Sequence, residues 1–220
     1  MLGPLSEVLM ERILEDSQNR HAHFDDMRIT GVWGFSGAPF RCLVNNLCRV
    51  AAPVTYLEVG VFCGATLAAA MCGNAGRFIG VDNFSFAGMV PHLPREYADN
   101  PKEFCRRSVQ GVIEMFGQGK GTCIEQACLN VDVETLPLID IFLFDGDHTR
   151  ESTALGIAHY IPRLAPHAIL LVDDFESPEV SAGVGDALRE TKMALGLKYA
   201  TSNTRWGTSV FVGQRANGVV

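Results

Sequence analysis

Tyr56-Leu57-Glu58-Val59-Gly60-Val61-Phe62-Cys63-Gly64-Ala65-Thr66 is the stretch on which the reading of the fold turns. It begins as a short apolar run, breaks at Gly60, and resumes after Gly64 with residues that suit a helix. That order, strand then glycine turn then helix, is how a parallel α/β unit opens. Glycines in the turn let a ligand approach the backbone closely, and the helix amino terminus offers N–H groups that lack an intrahelical partner. A glycine pair alone also serves any tight strand-to-helix turn, so the motif needs support from the rest of the chain.

Working outward, short apolar runs alternate with helical segments. Strands are expected at 55–59, 78–81, 122–126, 139–144 and 168–172. Helices are expected at 66–72, 102–116 and 152–161, the last with Ala154, Ile157, Ala158 and Ile161 on one face. A helix after Pro178 carries Val184, Leu188, Thr191 and Leu195 on one stripe. Two closing strands, about 199–203 and 208–212, flank Arg205-Trp206-Gly207 as an antiparallel hairpin at a sheet edge. The sum is an α/β fold with a seven-stranded, mostly parallel sheet and helices on both faces.

Upstream, two helices precede the first strand. One spans 3–16, with Leu5, Val8, Leu9 and Ile13 on a face, and the other spans 40–51, with Phe40, Leu43, Val44 and Leu47. Between them, residues 21–39 are irregular and contain Trp33, Phe35 and glycines at 31, 34 and 37, as a lid would. The 220 residues suit one domain, with 1–50 as an N-terminal helical and lid segment and 51–220 as the cofactor-binding core.

A net charge of −7 argues against nucleic acid as a partner, since a phosphate backbone calls for a basic face. No apolar run approaches the roughly 20 residues of a membrane span, and no secretory signal pattern opens the chain. The expectation is therefore a cytoplasmic protein with a small-molecule substrate and no membrane partner, leaving a homodimer open. Cys42, Cys48, Cys63, Cys72, Cys105, Cys123 and Cys128 are odd in number and form no Cys-x-x-Cys pair, which fits reduced core thiols.

Asp82 ends the second strand, 24 residues after Glu58. In an open parallel sheet, ligands bind beyond the carboxyl ends of the strands, and an acid there can accept both hydroxyls of a ribose. The glycine turn, Asp82 and the adjacent Asn83 thus point to a nucleoside-containing cofactor, with Ala127 and Cys128 past the third strand near its base. Phe144-Asp145-Gly146-Asp147-His148 and Val172-Asp173-Asp174-Phe175 close two further strands. Four carboxylates at neighbouring strand ends repel one another and need a counter-charge, and oxygen donors suit Mg²⁺, Mn²⁺ or Ca²⁺. One or two of the four are expected to cap helices instead.

The segment Glu58-Val59-Gly60, continuing to Cys63-Gly64, resembles the cofactor motif of class I S-adenosylmethionine (SAM)-dependent methyltransferases of the catechol O-methyltransferase type, with Phe62 where the commoner motif has a middle glycine. Asp145, Asp173 and Asp174 match in order and spacing the acids by which those enzymes hold Mg²⁺. The Asp-Gly-Asp-His and Asp-Asp-Phe segments also resemble macrolide sugar O-methyltransferases. The resemblance implies a Rossmann-like fold and a SAM site built from Glu58, Gly60, Phe62, Cys63, Gly64, Thr66, Asp82, Asn83, Ala127, Cys128 and Asp145. It further implies a metal on Asp145, Asp173 and Asp174 that holds and acidifies a hydroxyl acceptor. It departs at Pro166-His167-Ala168, where Pro-Gly-Gly is usual.

His148 stands where the catechol-type enzymes carry a basic lysine, and with Asp145 it is the expected catalytic pair, His148 acting as general base. Trp33, Phe84, His92 and Trp206 are the expected substrate lining. Three other readings remain open: an Asp-x-Asp metal-dependent glycosyltransferase using Asp145 and Asp147, an NAD enzyme, and a non-catalytic cofactor-binding protein. The missing second glycine counts against NAD, and an Asp-x-Asp mechanism leaves the early turn at 58–64 without a role.

Overall fold

Every residue of Ile139-Asp140-Ile141-Phe142-Leu143-Phe144 is buried, as a strand covered on both faces must be. The one charged member, Asp140, accepts the backbone N–H of Thr55 at 2.8 Å, which offsets part of the cost of burying a carboxylate. The computed structural model describes residues 3–22, 31–85, 99–202 and 208–216. Along them run α1 (Glu7–Gln18), α2 (Ala38–Val50), β1 (Val54–Val59), α3 (Ala65–Met71), β2 (Gly76–Val81), α4 (Pro101–Phe116), β3 (Gly121–Ile124), β4 (Ile139–Phe144), α5 (Arg150–Tyr160), β5 (Leu164–Val172), α6 (Pro178–Glu190), β6 (Leu195–Ala200) and β7 (Phe211–Arg215).

The strands form one sheet in the order β3-β2-β1-β4-β5-β7-β6. β1 to β5 pair in parallel, while β7 runs antiparallel between β5 and β6. This is the expected Rossmann-like α/β architecture. The chain leaves β1 toward one sheet edge and returns to place β4 on its other side, so a crevice opens at the carboxyl ends of β1 and β4.

Strand alternation splits the core into two layers. Tyr56, Phe78, Ile141 and Leu171 face α1 to α4, with Phe40, Leu43 and Leu47 of α2 beneath them. Leu57, Ile79, Phe142 and Leu170 face the opposite way, toward Ile157 and Tyr160 of α5 and Val180 of α6. All four apolar residues expected on the face of α2 are fully buried.

Several boundaries and faces differ from expectation. On α1 the buried residues are Met10, Ile13 and Ser17, whereas Val8 is 76% exposed. Ser17 can be buried because its hydroxyl donates to the Ile13 carbonyl at 2.6 Å. The buried face of α5 is Thr153, Gly156, Ile157 and Tyr160, turned from the predicted one because Gly156 lets the Phe144 ring lie against the helix backbone. Leu195 begins β6 and does not extend the helical stripe, and the closing strands fall at β6 and β7. The pair is antiparallel as expected, but β7 is internal and only β6 is an edge. β5 starts at Leu164, with His167 at φ 64° inside it where a turn was expected. Hydrogen bonding to β4 resumes after a register shift there, so strand identity is set by the neighbour and not by local preference.

Phe142 is fully buried, its ring 5.2 Å from that of Tyr160. Phe142→Ala is expected to lower stability by about 3–5 kcal/mol. The measurement is urea denaturation, in which the midpoint should fall at an unchanged slope.

Candidate active site

Backbone hydrogen bonds continue past the strand ends and set four residues in a row. Asp82 N donates to Ile124 O, Gly60 N to Val81 O, Asp145 N to Val59 O and Asp173 N to Phe144 O, at 3.2, 3.0, 2.8 and 3.1 Å. The expected site residues at these positions therefore share one edge of the sheet, as the strand-end argument requires.

The turn after β1 demands unusual backbone geometry. Gly60 has φ 91° and Gly64 has φ 87°. A Cβ on Gly60 would lie 1.7 Å from the carbonyl oxygen of Asp145, so only glycine fits there. Phe62 also adopts positive φ, 51°, and its N–H donates to Asp82 Oδ2 at 2.7 Å. The other oxygen of Asp82 accepts from Phe84 N at 2.6 Å. Each oxygen keeps a lone pair for a ribose hydroxyl, so Asp82 both ties the turn to β2 and remains able to accept from a ligand.

Glu58 behaves differently. It is fully buried and spends both oxygens inside the protein, accepting from Tyr56 Oη at 2.6 Å and Thr66 Oγ1 at 2.5 Å. Burial pushes its pKa up to about 7, against the two hydroxyls that stabilise its charge. Glu58 and Thr66 thus clamp β1 to the start of α3 from behind the turn. Cys63 is buried too, its Sγ 3.4 Å from Cys105 Sγ, and Ser108 donates to its carbonyl. All seven cysteines are free. Ala127 and Cys128 lie just past β3 as expected, and the Cys128 carbonyl accepts from Tyr160 Oη at 2.8 Å. Asn83 Oδ1 accepts from Ser85 N in a local turn.

Trp33 lies over this turn. Its ring is 5.5 Å from Phe62 and 6.1 Å from Phe104, and Phe35 stacks on Phe62 at 5.5 Å. Arg41 anchors the segment by donating to the Ser36 and Val32 carbonyls, and Gly34 sits directly on Ala65 of α3. Phe84 is buried in the core beside the turn. His92 and Trp206 lie outside the described residues.

The acidic strand ends separate into distinct jobs. Asp147 accepts from Ser152 Oγ at 2.9 Å and from the N–H of Thr149 at 3.3 Å, and so holds in place Thr149, the residue whose hydroxyl caps α5. His148 reaches two other acids: Nδ1 is 3.1 Å from Asp174 Oδ2, and Nε2 is 3.4 Å from Asp145 Oδ1. The second approach is an ion-pair contact without hydrogen-bond direction, since Nε2 is buried and has no hydrogen-bond partner. Asp173 and Asp174 are held by Thr208, whose hydroxyl donates to Asp173 Oδ1 and lies 3.4 Å from Asp174 Oδ1.

Charge follows from these contacts. Burial, then the neighbouring Asp173, pushes Asp145 well above the carboxylate range. Asp173 is likewise raised by burial, whereas the bond from His148 lowers Asp174. Asp145 and Asp174 together hold His148 up to about 10. Asp145 and His148 are close enough to titrate as a unit, so the cluster carries its own positive counter-charge at neutral pH. Among the described residues no three His, Cys, Asp or Glu side chains converge as metal ligands. The oxygen donors have suitable chemistry, but Asp174 is drawn to His148 and Asp173 to Thr208. As arranged, Asp145, Asp173 and Asp174 do not fit the expected metal triad.

Thr208, Tyr56 and Ser108 belong to the site and were not anticipated. Thr208 gives no local signal, because its partner carboxylates lie 34 and 35 residues earlier. An open groove of about 830 Å³ between α5 and α6 contains none of the expected site residues and is crossed by the Arg150–Asp186 ion pair.

Residues 57–175 match the family described as a methyltransferase domain. The chain belongs to that family. The matched span runs from β1 past the end of β5 and so contains the glycine turn, Asp82, Asp145, His148, Asp173 and Asp174. No curated protein matches the chain. The O-methyltransferase TomG from Streptomyces achromogenes, involved in tomaymycin synthesis and solved with SAM, shares the fold at 14% identity and TM-score 0.57, with 99% of this chain and 93% of that chain covered. The SAH-bound methyltransferase PaMTH1 from Podospora anserina does so at 11% identity and TM-score 0.58, with 99% of each chain covered. An O-methyltransferase family protein from Burkholderia thailandensis, 15% identical at TM-score 0.49, is covered over 61% of its length by 83% of this chain. Among the described residues no helix is long and apolar enough to cross a membrane.

Gly60→Ala should weaken binding of S-adenosylhomocysteine by about 100-fold or more in calorimetry, since the turn must move to admit the methyl group. Gly73→Ala is the control: its φ is also positive, 69°, but nothing lies within 4 Å of an added Cβ. It should lower stability without a comparable loss of affinity.

Proposed function

We propose that this protein is a SAM-dependent O-methyltransferase acting on a hydroxyl of a small molecule, such as a natural product, sugar or phenol. The observation that carries this reading is His148, oriented through Nδ1 by Asp174, with a buried Nε2 that makes no hydrogen bond and only an ion-pair contact with Asp145, one strand away from the glycine turn. SAM supplies the methyl group and a thioether leaving group when bound. The turn at Gly60 to Gly64 and the free lone pairs of Asp82 suit it, and the Trp33 segment covers it, with residues 1–50 acting as the lid on the 51–220 core.

The remaining task belongs to the chain: to place a hydroxyl, shield it from water and take its proton. Nε2 of His148 accepts that proton as the oxygen forms its new bond to carbon, and Asp174 stabilises the imidazolium that results. Asp145, beside Nε2, is placed to hold the same hydroxyl. A divalent metal on Asp145, Asp173 and Asp174 would acidify the hydroxyl by Lewis-acid action, but the arrangement of these side chains supports no step through one. The glycosyltransferase alternative needs Asp147 as a ligand, and Asp147 is already bonded to Thr149 and Ser152 at the start of α5.

A base must be neutral to act, and the acids around His148 raise its pKa to about 10. Turnover should therefore rise with pH, about tenfold per unit between pH 7 and 9, and level off near 10. Initial rates of S-adenosylhomocysteine formation with a panel of phenols and sugars measure this. A flat profile over that range would remove His148 as the base. His148→Gln should lower turnover about 100- to 10,000-fold with cofactor affinity within a few fold. Saturable Mg²⁺ binding that Asp145→Ala abolishes would reinstate the metal, and failure of the protein to bind SAM in calorimetry would sink the reading altogether.

A further inference from the structure

β7 is the one strand that begins at the carboxyl edge of the sheet, because it runs against its neighbours. Its approach, Thr208-Ser209-Val210, therefore lies beside the acids that end β5. Ser209 staples the turn after β5 through its backbone, its carbonyl accepting from Phe175 N at 3.0 Å, and through its hydroxyl, which accepts from Glu176 N at 2.8 Å. Among the described residues, the Thr208 hydroxyl bonds to carboxylates. The residue is 5% exposed, donates to Asp173 Oδ1, and contacts Asp174 Oδ1, the oxygen of Asp174 that His148 does not use.

We infer that Thr208 is a positioning residue for the methyl-transfer base, tying Asp173 to Asp174 so that Asp174 Oδ2 stays aimed at His148 Nδ1. Asp174 has φ 51°, a backbone state that few residues other than Asn, Asp and Gly adopt readily. The single hydroxyl proton, held mainly by Asp173 Oδ1 and shared with Asp174 Oδ1 at 3.4 Å, restrains that carboxylate from turning away from the ring. The methyl group of Thr208 is not part of this claim, so serine should substitute for it and valine should not. The assignment of a base rests on the proposed function, whereas the link from Thr208 through Asp174 to the ring does not.

Imidazole ¹⁵N NMR of the full chain without ligand, at one pH, tests the link directly, with the His148 signals assigned by their loss in His148→Gln. The expected result is a hydrogen-bonded Nδ1–H resonance in the wild type that Asp174→Asn abolishes, Thr208→Val shifts or broadens away, and Thr208→Ser restores. Ser209→Ala is the structural control and should lower Tm while leaving that resonance in place. An unchanged resonance in Thr208→Val, or an equal change in Ser209→Ala, overturns the inference. In turnover, Thr208→Val should lower kcat about 10- to 100-fold with S-adenosylhomocysteine affinity within a few fold, a size typical of residues that orient others. Combined with Asp174→Asn it should add little further loss, and full additivity in the double variant also counts against the link. A protein that fails to bind SAM defeats the proposed function and leaves the spectral comparison able to decide this inference on its own.

Discussion

The approach of Gly60 to the carbonyl of Asp145 is the constraint around which the site is arranged. The two residues follow adjacent parallel strands, and Asp145 N donates to Val59 O, so their backbones meet at van der Waals contact where the chain would otherwise splay apart. A parallel pair brings strand ends together at one edge, and a strand-to-helix turn can close over that edge only if the residue at its apex has no side chain. Glu58, bonded to Tyr56 and Thr66, holds the turn from below, and Asp82 holds it from the side through Phe62 N. The cofactor turn and the acidic cluster are in this way one piece of geometry, and displacement of either moves the other.

Charge is the second constraint. Asp145 and Asp173 are partly buried, and desolvation raises the cost of ionising each, with Asp173 adding to it for Asp145 and Asp174 for Asp173. The structure meets this with His148, lodged between Asp145 and Asp174, and with the Thr208 hydroxyl on the Asp173–Asp174 pair. An imidazolium held to about 10 is a counter-charge that is given up only as the pH rises toward that value. The same ring that neutralises the cluster is thus the group suited to remove a proton from a substrate, and its high pKa is the cost of that double service.

Much of this was legible in the chain. Periodicity located all seven strands and the six described α-helices to within a few residues, because strands covered on both faces must be apolar throughout and each is bounded by a helix or a glycine. The residues of the site edge, from Gly60 through Asp82 to Asp145, His148, Asp173 and Asp174, follow from one rule: chemistry gathers where parallel strands end. The faces of α1 and α5 were less legible, because a single serine or glycine turned each helix by a fraction of a turn in a way that average hydrophobicity does not reveal. The start of β5 was hidden for a related reason: His167 takes a turn-like φ inside a strand whose continuity is imposed by β4.

What the sequence determined by itself, then, is the identity of the elements and which residues stand at their carboxyl ends, since both depend on neighbours close along the chain. What only the tertiary structure decided is which polar atoms are already committed. Glu58 turned inward to two hydroxyls and Asp147 to Thr149 and Ser152, and Asp174 and Asp145 turned to His148 while Thr208 arrived from a strand running the other way. Each of these commitments is a polar contact a few ångströms long between groups brought together by folding, and such contacts respond to direction and distance. Composition and spacing along a chain carry neither.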